Sequence, residues 1–296
     1  MCVEIWMLLL LFVSFCTLVV GPGAPPTPTT WTGTQAQSTV ATPISAYTSA
    51  GIVVSATTIS ATDSVLLVVN INVASNAVVY QMTFTILRSG LDLSTSGHVM
   101  AEIGPTTSST ESQSMTFAYM DVPGTVGTFT YTVYASYLAT ISLNGQPRQI
   151  GALSIPYTMV TQSTTLYNEM SFSLTTFQPI TGLSADIIPP SVNHMVLVSV
   201  TFSIYPDSAN AIVQVSLLRN GARIDTNAMQ IIYFSSGARL CTIFYLDSPN
   251  SASSVTYSVS AALTQGLSFT VCKASKDLAH INLVAVPDYT TDRYSS

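Results

Sequence analysis

The sequence predicts an all-β chain: two tandem antiparallel β-sandwich domains of jelly-roll type, preceded by an N-terminal apolar helix. Three observations carry this. Short β-branched and aromatic runs alternate with period two and are broken by Gly, Pro, Asn or Asp about every 8 to 12 residues, the texture of a sandwich or jelly roll. The chain also says the same thing twice. Thr116-Phe-Ala-Tyr-Met-Asp-Val-Pro-Gly followed by Phe129-Thr-Tyr-Thr-Val recurs as Thr242-Ile-Phe-Tyr-Leu-Asp-Ser-Pro-Asn followed by Val255-Thr-Tyr-Ser-Val, and Leu87-Arg-Ser-Gly90 recurs as Leu218-Arg-Asn-Gly221. A period of about 130 residues is the size of a domain and too long for a solenoid unit. Finally, 296 residues with 48% hydrophobic content can fill two cores.

Residues 1-20 form the first element. Ile5 to Val20 is uncharged and almost wholly apolar, and with the preceding residues it is long enough to cross about 30 Å of hydrocarbon as a helix. The n-region Met1-Cys-Val-Glu4 has no Lys or Arg, so it matches a cleavable secretory signal imperfectly. A retained membrane anchor, a cleaved signal and a buried helix stay open. Residues 21-37, rich in Pro, Thr, Gly and Gln, read as an extended linker.

Domain 1 is expected over 38-157 and domain 2 over 158-288, with a tail at 289-296. In the first, strands are expected at Val65 to Val73, Val78 to Leu87, Met115 to Met120, Phe129 to Tyr137 and Ala152 to Ile155. Their counterparts are Val196 to Ile204, Ile212 to Leu218, Leu240 to Leu246, Val255 to Ala262 and Ile281 to Val286. Asn220-Gly221 supplies the positive φ values of a two-residue hairpin, and Ser89-Gly90 stands at the same corner of the first copy. Pro156 and Pro287 end the copies alike, and the short connection predicts docked domains.

Composition limits the function classes. Charged residues make up 7% of the chain, far below the usual figure of about 25%, so Ser, Thr, Asn and Gln must cover most of the wetted surface. A surface so weakly self-repelling is one expected to sit against other proteins or a membrane. The 14 acids and 8 bases lie singly, with no basic stripe to recruit nucleic acid. Asn70, Asn76, Asn144, Asn168, Asn220 and Asn250 all lack the hydroxyl two places on that glycosylation needs.

Reactive groups are sparse. His98, His194 and His280 sit apart, without carboxylate or thiol at metal-ligand spacing, and neither a nucleophile elbow nor a phosphate loop occurs. No catalytic, cofactor-binding or metal residue is therefore expected, no cofactor and no small-molecule substrate. Asp121 and Asp247 are read as turn residues of the two Asp-x-Pro corners. Arg88 and Arg219 read as hairpin-end charges that guard a sheet edge or pair with a neighbouring subunit. Tyr119, Tyr131, Tyr245 and Tyr257 read as core or groove aromatics. Cys241 and Cys272 fall in strand-like runs of the second copy; a disulfide needs neighbouring strands, and burial as two free thiols is the plainer arrangement.

The order of strand, Leu-Arg-Asn-Gly turn, strand, Asp-x-Pro turn, Tyr-containing strand and closing strand resembles tumour-necrosis-factor-like and viral jelly-roll modules. Leu218-Arg-Asn-Gly221, Asp247-Ser-Pro249, Thr256-Tyr-Ser-Val259 and Leu283-Val-Ala-Val286 carry the likeness in the second copy. In the first it rests on Leu87-Arg-Ser-Gly90, Asp121-Val-Pro123, Thr130-Tyr-Thr-Val133 and Ala152-Leu-Ser-Ile155. With an apolar anchor, the tandem is similar to a membrane-anchored minor capsid protein of a large icosahedral DNA virus. The resemblance implies a non-enzymatic structural role in the virion. The partners it implies are other capsid proteins including a major capsid protein, a lipid membrane reached through residues 1-20, and a place in an oligomer or larger assembly. The alternative is a secreted or surface-exposed binding module whose loops, such as Leu91 to Glu111, contact a ligand.

Overall fold

The computed structural model describes residues 32–36, 48–74, 82–94, 100–103, 112–137, 148–155, 161–166, 168–208, 210–225, 229–234, 237–272 and 278–287. Every regular element among them is a strand. The predicted helix over 1-20, most of the linker and the tail lie outside the described residues, as does His98. No helix among the described residues is long and apolar enough to cross a membrane.

The first copy contains β1 (Thr32–Ala36), β2 (Thr48–Thr58), β3 (Ser64–Ala74), β4 (Met82–Arg88), β5 (Leu91–Asp92), β6 (Ala101–Ile103), β7 (Ser112–Asp121), β8 (Gly127–Tyr137) and β9 (Arg148–Ile155). The second contains β10 (Thr161–Leu166), β11 (Met170–Phe172), β12 (Gln178–Ile187), β13 (His194–Pro206), β14 (Ile212–Arg219), β15 (Ala222–Arg223) and β16 (Gln230–Tyr233). It closes with β17 (Arg239–Asp247), β18 (Val255–Gln265), β19 (Phe269–Val271) and β20 (Ala279–Pro287). All pairings are antiparallel.

In the first copy one sheet runs β1-β9-β3-β7 and the other β2-β8-β4, with β5 and β6 both beside β4. The chain changes sheet at every connection except those joining β4, β5 and β6, which is the winding of a jelly roll. The second copy repeats it. One sheet is built from β10-β20-β13 with β17 beside β13, the other from β12-β18-β14 with β15 and β16 beside β14. Only β11 and β19, which join the first of these sheets along the last three residues of β13, have no counterpart among the described strands of the first copy.

One expectation is corrected. Thr32–Ala36 was expected within the linker of 21-37, yet it is β1, paired from Thr32↔Ala152 to Ala36↔Arg148 as β10 is with β20. A polar Thr-Gly-Thr-Gln-Ala run has no apolar alternation to mark it. It becomes a strand because β9 offers an edge whose amides need partners.

Three cores stack in line. One lies between the sheets of the first copy around Ile52, Leu67, Phe84, Phe117 and Tyr131, and another between those of the second around Leu183, Phe202, Leu217, Tyr257 and Leu283. The third joins the copies: Leu66, Val68, Ala118, Met120 and Ile155 meet Val284 and Val286, with Leu197, Phe244 and Leu246 against them. The inner sheets are thus buried on both faces, which is why Val65-Leu-Leu-Val-Val reads as a continuous apolar run without alternation.

Candidate functional site

Each copy builds the same cluster of polar side chains at one end of its sandwich. Arg88 ends β4 and stands opposite Tyr131 of β8 in the outer sheet, while Asp121 ends β7 in the inner sheet. Its carboxylate reaches across the sandwich. Arg88 Nη1 donates to Asp121 Oδ1 and Oδ2 at 2.9 and 3.0 Å, and the Tyr131 hydroxyl donates to Oδ2 at 2.8 Å. In the second copy Arg219 Nη1 donates to both oxygens of Asp247 at 3.0 Å, and the Tyr257 hydroxyl donates to Oδ2 at 2.6 Å.

The clamp revises two readings and sharpens a third. Asp121 and Asp247 do more than shape turns: their carboxylates are sheet-to-sheet ties. Arg88 and Arg219 do not guard an edge or wait for a neighbouring subunit, because each is already paired within its own copy. Tyr131 and Tyr257 are core residues with a polar handle, and burial first, then the adjacent aspartate, pushes both phenols well above the usual range. The alignment exposed the equivalence of these residues, but their contact depends on which strands face each other.

The hairpin beside each clamp is alike too. Ser89 and Gly90 take φ of 48° and 89°, Asn220 and Gly221 of 51° and 78°, the left-handed pair of a type I′ turn. Ser89 N donates to Thr130 O at 2.7 Å and Asn220 N to Thr256 O at 2.8 Å, anchoring the turn to the strand that bears the tyrosine.

Elsewhere the predicted groups stay apart. His194 of β13 registers with Pro287 of β20, and His280 of β20 with Thr201 of β13, which sets the two histidines seven residues or roughly 23 Å of strand apart. His194 Nδ1 bonds the Ser191 hydroxyl at 2.8 Å. His280 is buried where the copies meet, bonded through Nδ1 to Thr165 Oγ1 at 3.0 Å and edge-on to the Tyr119 ring at 5.1 Å. Nε2 has no hydrogen-bond partner. Burial lowers its pKa from 6.5 to about 4, so it is neutral at pH 7. Cys241 and Cys272 are both buried and form no disulfide; Cys241 Sγ donates to Gln230 Oε1 at 2.8 Å, and burial pushes its thiol up. Among the described residues no three His, Cys, Asp or Glu side chains come together in a way that could hold a metal ion.

The outer faces of the copies differ. On the first, Ser49, Val53, Ser55 and Thr57 of β2 lie beside Thr128, Thr130 and Thr132 of β8 in a hydroxyl-rich patch, and in the same sheet the exposed Asp92 of β5 accepts from Thr85 Oγ1 at 2.8 Å. On the second, Arg223 bonds Asp225 at 2.9 Å and stacks on the Phe177 ring at 4.3 Å, above Ser216, whose hydroxyl donates to Asp225 at 3.2 Å.

No protein-family model matches the chain, and no curated protein matches it. Among solved structures, the tandem CBM22-1-CBM22-2 domain of Xyn10C from Paenibacillus barcinonensis aligns over 88% of this chain and 94% of its own at 10% identity, with a TM-score of 0.23. The T13 viral particle of IBDV aligns over 77% of this chain at 11% identity and a TM-score of 0.28, and this chain covers 64% of that one, under two thirds of its length. The extracellular domain of ANXUR2 from Arabidopsis thaliana aligns over 82% of both chains at 7% identity and a TM-score of 0.25. None reaches the level at which a shared fold is established.

Proposed function

We propose that the chain is a non-enzymatic structural protein of a virion, a minor capsid protein that links or cements capsid subunits and is held to an internal membrane through residues 1-20. One observation carries this reading. What the duplication preserved is the clamp and the strand cores, groups that hold a shape, and the clamps pair charged side chains within each copy while β2 and β8 present a Ser/Thr face outside. Hydroxyls both donate and accept, so such a face can meet a partner without burying unpaired charge.

The test is fractionation of purified particles. The chain is expected to sediment with capsid shells, to stay with them when detergent removes lipid, and to retain its apolar N-terminus in a peptide map. Recovery only as a free monomer, or as a mature chain beginning near Ala24 in the medium, would overturn the reading in favour of a secreted binding module.

A further inference from the structure

β16 pairs with β14 on one side, and no described strand pairs with its other edge. Its outward side chains are Ile231 and Tyr233, 45% and 68% exposed. In the first copy the equivalent of Ile231 is Glu102, each lying one strand over from an equivalent residue, Gln214 or Thr83. There the burial is reversed: Glu102 is only 5% exposed, and β6 lies close to β13 and β17 of the second copy. The second copy's inner sheet thus lies near this edge of the first copy, whereas β16 lies near β17 of its own copy and, among the described residues, has no strand paired with its second edge.

The open edge also lacks the usual guards. Gln230-Ile-Ile-Tyr has no charge and no proline, and its register with β14 is unbroken. The edge strand β12 of the same sheet, by contrast, carries Pro179, a register break before Ser184, and Asp186. Pro, charge and bulges are the ordinary defences against edge-to-edge pairing.

We infer that β16 is a self-association edge, which pairs antiparallel with β16 of a second copy about a twofold axis through Ile232. The strand is self-complementary in that register. Ile231 stands opposite the second copy's Tyr233 and Tyr233 opposite its Ile231, giving two aromatic–β-branched pairs on the outer face, with Ile232 against Ile232 on the inner. Both outer sheets then become one continuous sheet. With no charge on the strand, like-charge repulsion does not oppose the contact. A four-residue edge buries less than the roughly 1,200 Å² of a stable interface, so the pairing is weak in dilute solution and gains where copies are held close. It holds independently of the virion reading.

Sedimentation equilibrium of the full chain in neutral detergent tests this, with circular dichroism to show that each variant is folded. The native chain is expected to shift from monomer to dimer as concentration rises. Ile231→Lys with Tyr233→Lys sets like charges opposite each other twice and should weaken association about tenfold or more. Ile231→Lys with Tyr233→Glu sets opposite charges in the same places and should restore it, a rescue specific to this register. A monomer at every concentration, a dimer indifferent to the double-lysine variant, or a mixed variant as weak as the double-lysine one overturns the proposal. So does capture by phosphatidylcholine vesicles that depends on these two residues, which would make the edge a lipid contact.

Discussion

The copies agree at their clamped ends and part company at their edges and at the face where they meet. Arg88, Asp121 and Tyr131 superpose in role on Arg219, Asp247 and Tyr257, whereas Glu102 answers to Ile231 and Gln149 to His280. What both sandwiches need for closure was kept twice. What faces the other copy, or faces outward, was free to diverge. Even the clamps differ in one respect: the Arg88 side chain is 16% exposed and that of Arg219 is 38%. The same three groups therefore work in a drier site in the first copy than in the second.

That contrast gives the largest predicted effect. Asp121→Ala leaves a guanidinium and a phenol without their acceptor in a mostly buried site, and should cost about 3 to 5 kcal/mol. Asp247→Ala should cost less, about 2 to 3 kcal/mol, because water already reaches Arg219 and can take over part of the carboxylate's role. Urea unfolding measures both. Equal losses would mean that the clamps are energetically the same despite their exposure.

The two copies should respond differently to acid at the position of His280. His280 is lowered to about 4 by burial, whereas the residue at its position in the first copy, Gln149, does not ionise. A histidine depressed in the folded state contributes stability above its unfolded pKa of 6.5, and that stability is lost as pH falls through about 4. At about 1.4 kcal/mol per unit the full loss is about 3 kcal/mol. His280→Gln should flatten the dependence between pH 6.5 and 4 while leaving stability at pH 7 within about 1 kcal/mol. Urea midpoints at the two ends of that window decide it, and a native chain equally stable at both would show that the histidine is not buried in solution.

Removing only the phenol is milder. Tyr131→Phe and Tyr257→Phe each delete one hydrogen bond to an aspartate that keeps its arginine, a loss of about 1 to 2 kcal/mol. Both phenols are raised in the folded state, so the native chain should also lose stability as pH climbs above about 10. Each Phe variant should show a shallower alkaline decline in thermal melts.

These effects also mark how far the sequence could be read. The β-branched runs around Val65, Val196 and Val255, the Asn220-Gly221 corner and the equivalence of Asp121 with Asp247 are local patterns, and local patterns survive in one dimension. β2 was missed although its burial alternates faultlessly from Ala50 to Thr58, because its outward residues are Gly, Val, Ser and Thr and contrast too little with the inward Ala, Ile and Val. β1 was missed because Thr-Gly-Thr-Gln-Ala has no apolar alternation to set its phase. The clamp was half legible. Its residues were singled out, yet Arg88 and Asp121 are 33 positions apart and belong to opposite sheets, so only the winding of the jelly roll brings them together.

The smallest effect exchanges the one turn residue that differs between the clamped ends. Ser89 and Asn220 both adopt a left-handed backbone, which costs a serine more than an asparagine. Asn220 Oδ1 also accepts from Thr256 N at 2.9 Å, where Ser89 Oγ accepts from Thr130 N at only 3.4 Å. Ser89→Asn should therefore stabilise the chain by about 0.5 kcal/mol, and Asn220→Ser should destabilise it by about as much. Paired urea titrations check the signs. Opposite shifts of similar size would show that the two ends are interchangeable down to their turns; a gain in neither direction would mean that the strands fix the turn and the turn does not fix the strands.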